Sequence, residues 1–249
     1  MACRQPGLPE NIKDFYKYFR PKTDELMGRY GFEYAPQFFN VESHKRKKLE
    51  PDVIIYAKPT EHGWQLIYIS IHDIYKDGVY DIRVSWNLSD ETAEQIYWYE
   101  LDNIHPYDKK NNIKQLAEGG VNIGYYLHDF WRPKGIDISQ FKIESQIEAL
   151  LTYIEVRLAE VAPIYTYADV DRFFENNTVT DLEHEAGNGL FTYNFFLERL
   201  VILYLDGKPN LREIVESWLA VDDAYIVNRE FVRERYMKAL NYLENRPRT

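Results

Sequence analysis

Residues Trp64–Leu88 read WQLIYISIHDIYKDGVYDIRVSWNL. Two runs rich in β-branched and aromatic residues flank Asp77-Gly78, a dipeptide that accepts the positive φ angles of a tight type I′ turn. The stretch is predicted to be a long β-hairpin with Lys76 opposite Val79. Side chains alternate between the two faces of a strand, so the turn fixes both faces. One face collects Ile67, Ile69, Ile71 and Tyr75 with Tyr80, Ile82, Val84, Trp86 and Leu88, and is the predicted core face. Asp73 interrupts it only beside the turn, where water reaches it. The other face collects Tyr68, Ser70 and His72 with Arg83, Ser85 and Asn87. A one-residue slip would set Arg83 against Ile71 and mix the faces, which favours the two-residue turn.

Outward from the hairpin, Asp52–Lys58 reads as a further strand, and a first strand is expected around Gln37–Val41. Short loops between these strands imply a mainly antiparallel sheet. Ahead of them, Ile12, Phe15 and Phe19 are spaced for a helix. Pro21 is expected to break or restart it, and Gly31 stands where a C-terminal cap belongs. After the hairpin, Ser89 or Asp90 opens a helix to about Glu100. The polar segment 101–120 precedes a predicted strand at Val121–Leu127. From Ser139, Ile143, Ile147, Leu150, Leu151, Ile154, Leu158 and Val161 form one apolar stripe ended by Pro163. A short helix follows at about 168–176. Residues 176–189 are rich in acids and turn formers. Beyond them Leu190–Leu205, a segment with Leu211, Ile214, Val215, Trp218 and Leu219 on one face, and a last helix capped by Asn228 are all helical in pattern. The expected fold class is α+β: an α+β domain over 1–176, a linker over 177–189 and a helical bundle over 190–249.

Composition narrows the function. Forty acidic against thirty basic residues give a formal charge of −10, the opposite of a nucleic-acid footprint. That charge suits a basic protein partner. The single Cys3 excludes an internal disulfide framework, and the opening residues lack the apolar core of a signal peptide. No apolar run approaches the length of a membrane span. A cytoplasmic protein is expected, with neither a nucleic acid nor a membrane as partner. The 21 tyrosines fall mostly in periodic segments, where a half-buried sheet face accounts for them.

Catalytic patterns are sparse. There is no glycine-rich phosphate loop and no nucleophile elbow. His72-Asp73 and His128-Asp129 lie on or beside strands, where neighbouring side chains point apart and cannot chelate one ion simply. Asp181, Glu183, His184 and Glu185 follow no ligand spacing and read as a solvated acidic loop, and Lys45–Lys48 as a solvated basic one. Asp52, Asp73 and Lys76 fit a metal-nuclease core poorly, with two residues between acid and lysine where one is needed. Neither a cofactor nor a metal ion is expected. The remaining constellation is the second hairpin face: Tyr68, Ser70, His72, Arg83, Ser85 and Asn87. His72 and Arg83, paired across strands, would offer donors to an anion or carboxylate.

The amphipathic helix ending in Gly31-Phe32, the short strands, the run Tyr80–Leu88 and the following helices together resemble small uncharacterised bacterial α+β domains. Some of those are similar to immunity proteins of polymorphic toxin systems. The resemblance spans about residues 10–175, rests on element order, and transfers no functional residue. It implies an interaction protein that occludes a basic partner. The alternative class is a hydrolase-type enzyme whose site is assembled from scattered polar residues.

Overall fold

A computed structural model describes residues 11–38, 53–72, 79–101, 125–130, 136–137, 143–176, 191–220 and 229–247. The chain is α+β, as its patterning implies. It divides into two compact units: Met1–Pro59 with Trp64–Asn87 and Gly124–Pro163, and Thr60–Gly63 with Leu88–Ile123 and Ile164–Thr249.

The first unit is built on a six-stranded sheet. Its strands are β1 (Glu33–Tyr34), β2 (Val53–Pro59), β3 (Trp64–His72), β4 (Val79–Ser89), β5 (Tyr125–Phe130) and β6 (Ile136–Asp137). They run in the order β1-β2-β3-β4-β5, and β6 also pairs with β4. The β1/β2, β2/β3, β4/β5 and β4/β6 pairs are antiparallel. The Asp77-Gly78 turn lies outside the described residues, but both of its arms are strands. The predicted core face is buried at every described position: Ile67, Ile69, Ile71, Tyr80, Ile82, Val84, Trp86 and Leu88.

Helix α1 (Ile12–Arg29) lies on that inner face. Asn11 caps it, accepting from the backbone N–H groups of Lys13 and Asp14 at 3.0 and 3.2 Å. Phe15, Tyr16, Phe19, Thr23, Leu26 and Met27 form its buried stripe, and the Phe15 ring stands 4.8 Å from that of Tyr80. Pro21 neither ends nor restarts the helix, contrary to the sequence reading. Proline removes one donor, the one owed to the Lys17 carbonyl, and both residues are exposed, so water can meet that carbonyl. The burial on either side of Pro21 outweighs the local penalty. The helix ends as expected: Gly31 takes φ 79°, its N–H donates to the Gly28 carbonyl and that of Phe32 to the Met27 carbonyl.

Two further boundaries differ from expectation. The strand expected around Gln37–Val41 lies mostly outside the described residues, and its first two residues are not a strand. The pairing strand is Glu33–Tyr34, and Pro36–Phe38 is a 3₁₀ turn; residues beyond Phe38 lie outside the description until Val53. β6 was not anticipated, because two residues carry no periodicity.

Helix α3 (Ile143–Val161) buries Ile147, Leu150, Ile154, Leu158 and Val161 of the predicted stripe, while Leu151 is half-buried. Lys58 joins the ends of α1 and α3. Its Nζ donates to the Tyr30 carbonyl at 3.0 Å and to the Ala162 carbonyl at 2.8 Å. Both acceptors sit at helix C-termini, where a cation also meets the negative end of the dipole.

The second unit is helical. α2 (Glu91–Glu94) is capped by Asp90, whose Oδ1 accepts from Ala93 N–H at 2.9 Å, and it continues as a π-helical segment, Gln95–Leu101. α4 (Tyr167–Asn176), α5 (Phe191–Leu205), α6 (Leu211–Ala220) and α7 (Arg229–Asn245) follow. α4 packs against α5. Thr166 and Asp169 form a capping box at its start, each accepting from the other's backbone N–H. The Leu200–Tyr204 run of α5 is buried on all sides, as its continuous apolarity requires. The 177–189 linker and Asn228 lie outside the described residues.

Candidate functional site

The β2/β3 ladder sets Ile55 against Tyr68, Ala57 against Leu66, Pro59 against Trp64 and Val53 against Ser70. These residues share the outer face of the sheet, opposite the face that α1 covers. A plain solvated face would be polar throughout. Instead Ile55, Ala57 and Leu66 are buried, and Ala35, Ala57 and Leu66 form a small satellite core against which Phe38 and Tyr68 pack. Next to it Trp64 remains 41% exposed, its ring 5.4 Å from that of Phe38 and tilted by 58°. The face thus grades from an apolar floor to an exposed aromatic rim.

Of the six residues named from the sequence, Tyr68 and Ser70 lie half-buried on β3, and Ser85 is half-buried on β4. Burial alone pushes the Tyr68 phenol up to about 12. Asn87 is buried, which is more than its place on a polar face implied. His72 ends β3 and Arg83 lies within β4, but their side chains lie outside the described residues. Arg83 stands opposite Asp129 in the β4/β5 ladder, and the register shifts between Val84 and Ser85. A carboxylate-bearing residue therefore occupies the ladder position across from Arg83 on the β5 side. Trp64 falls on this face by its parity with Tyr68. Phe38 was missed, because a turn residue carries no strand periodicity to mark it.

The inner face holds a polar device that no pattern announces. Trp86 Nε1–H donates to Gln65 Oε1 at 2.8 Å with both groups buried, so two polar atoms enter the core already paired. Farther along, the Tyr56 hydroxyl donates to Asp24 Oδ1 at 2.7 Å and lies 2.6 Å from the Thr23 hydroxyl. Burial, with the Asp24 carboxylate close by, drives the Tyr56 phenol far above its ordinary range. Arg20 lies over the Tyr34 ring, 3.7 Å from its centroid, and donates to the Tyr16 hydroxyl at 3.2 Å.

In the helical unit several charged groups meet partners. Arg199 donates twice to Asp171 Oδ1, at 2.7 and 3.1 Å, and Lys208 reaches the other oxygen at 3.3 Å. Arg246 holds both oxygens of Glu100, which lowers the Glu100 carboxyl below its usual range; Tyr242 donates to the same group. A cavity of about 580 Å³ opens beside Tyr204, Lys208, Arg212, Glu216, Glu244 and Arg246. Its basic groups are spent on carboxylates: Lys208 on Asp171, Arg212 on Glu244, Arg246 on Glu100. These pairs fix helices in place and leave little cationic field for an anionic ligand. Among the described residues no group of three or more His, Cys, Asp or Glu is placed to hold a metal ion, and no helix is long and apolar enough to cross a membrane. The Asp181–Glu185 acids lie outside those residues. Comparison with protein-family models, with curated proteins and with solved structures finds no match for this chain.

Proposed function

We propose that this protein is a protein-binding module that takes a basic protein partner on the outer face of its sheet, in the manner of an immunity-like protein that occludes its target. The observation that carries the reading is Trp64, held 41% exposed against Phe38 on the face that also bears Tyr68, Ser70, Ser85 and Asn87. An exposed tryptophan beside a second aromatic ring and a buried apolar floor is the makeup of an interface centre. The chain's charge of −10 supplies attraction for a basic surface and speeds its encounter. The test compares wild-type bait with Trp64→Ala bait in capture from the native host, followed by kinetics on the purified partner. The expected partner is basic, is lost or strongly weakened with Trp64→Ala, and associates more slowly as salt rises. An acidic partner, or one held equally well by Trp64→Ala, overturns the reading.

A further inference from the structure

Residues laddered opposite one another share a face of the sheet, so the outer face can be read in rows across β1, β2 and β3. Glu33 stands against Ala57, and Ala57 against Leu66. Pro59 stands against Trp64 in the next row of this face, toward the β2/β3 turn. Glu33 and Trp64 therefore lie on the same side. Two strand spacings across and two residues along put their Cα atoms about 12 Å apart. Ala57 and Leu66 form the apolar floor between them, with Phe38 packed against it. Glu33 is exposed and forms no ion pair among the described residues, and Trp64 is 41% exposed. Arg83, which also faces this side, has Asp129 across from it in the β4/β5 ladder.

We infer that the basic partner engages this face through an arginine laid on the open part of the Trp64 ring, with a second cationic group meeting Glu33. The inference rests on the outer-face reading and names the chemistry of its central contact. A guanidinium is planar and weakly hydrated, so it stacks on an indole at little desolvation cost, whereas an ammonium holds its water. The fold contains two instances of that stacking: Arg20 lies 3.7 Å from the centroid of the Tyr34 ring, and Arg199 5.1 Å from that of Trp218. An aliphatic anchor would cover the indole as well, but a partner without charge would desolvate Glu33 and leave it unpaired, which is costly. A second copy of the chain fits less well, because each copy brings a charge of −10 and the two repel.

The probes are two labelled peptides of about nine residues, one all arginine and one all lysine, matched in charge and followed by fluorescence anisotropy at about 0.15 M salt. The arginine peptide should bind about two- to fivefold more tightly, the range a cation over an exposed ring supplies. Trp64→Leu keeps apolar bulk but removes the aromatic face, and should erase that advantage while circular dichroism stays unchanged. Glu33→Gln should weaken both peptides alike and reduce their loss of affinity as salt rises. Equal binding of the two peptides by wild type, or an arginine advantage that persists in Trp64→Leu, overturns the stacking. Unchanged binding by Glu33→Gln overturns the second contact. The partner captured from the native host separates this inference from the reading beneath it. A partner held equally well by Trp64→Ala overturns the outer-face reading. One lost with Trp64→Ala but kept by Trp64→Leu leaves that reading standing and overturns the arginine.

Discussion

The two faces of strands β2, β3 and β4 are made by the same backbone and answer to different demands. On the inner face every described apolar side chain is buried, and the one amide there, Gln65, is bonded to Trp86. On the outer face burial is local: Ile55, Ala57 and Leu66 are covered, Tyr68 and Ser70 are half-covered, and Trp64 is left out. The inner face is a packed core in which each side chain is held by its neighbours. The outer face is a small apolar floor with an aromatic edge. The difference shows that strict alternation defines a core, while departures from it on the opposite face locate surface that serves something other than solvation.

That contrast can be broken by substitution. Trp86→Ala should cost the most, on the order of 3–5 kcal/mol in chemical denaturation, since it empties a large buried volume and removes the bond to Gln65. Leu66→Ala should cost about 2–3 kcal/mol. A cost near zero would mean that the floor of the outer face is no core at all. Trp86→Phe keeps most of the ring and isolates the hydrogen bond, so a loss of about 1–2 kcal/mol is expected. Trp64→Ala should change stability by less than about 1 kcal/mol, as exposed substitutions do, and a larger loss would make Trp64 structural.

Tyr68 sharpens the comparison through pH. Its phenol ionises near 12 in the folded chain, against the ordinary 10.0. Between those values the unfolded chain gives up the proton first, so the folded state loses stability as pH rises. The contribution is intact below pH 10 and falls away toward pH 12. Denaturation of Tyr68→Phe should show a shallower alkaline decline than wild type over that window. An identical decline would show that the Tyr68 ring is fully hydrated.

The sequence displays what repeats. Period-two alternation placed Ile67, Ile69, Ile71, Ile82, Val84 and Trp86 on one face, and the three- and four-residue steps of Ile147–Val161 marked a helix with one apolar stripe. Gly31 was legible because a left-handed residue at a helix end favours glycine. What was not legible depends on partners distant in the chain. Nothing near Pro21 reveals that the buried Phe15 and Leu26 will carry the helix through it. Nothing near Gln65 names Trp86 as its acceptor's donor, and Phe38 gains meaning only once Trp64 lies beside it. Likewise α4 belongs with α5 through Asp171 and Arg199, a pairing across 28 residues that no local window contains.

Lys58 carries one more consequence. A single ammonium bonds the carbonyls that close both α1 and α3, from a strand that lies between them in sequence. The last turns of the two helices are therefore not free to fray separately: opening either one strands the same cation. Amide exchange at the ends of α1 and α3 should slow and quicken together, and Lys58→Met should raise both rates in step, although 104 residues separate Lys58 from Ala162.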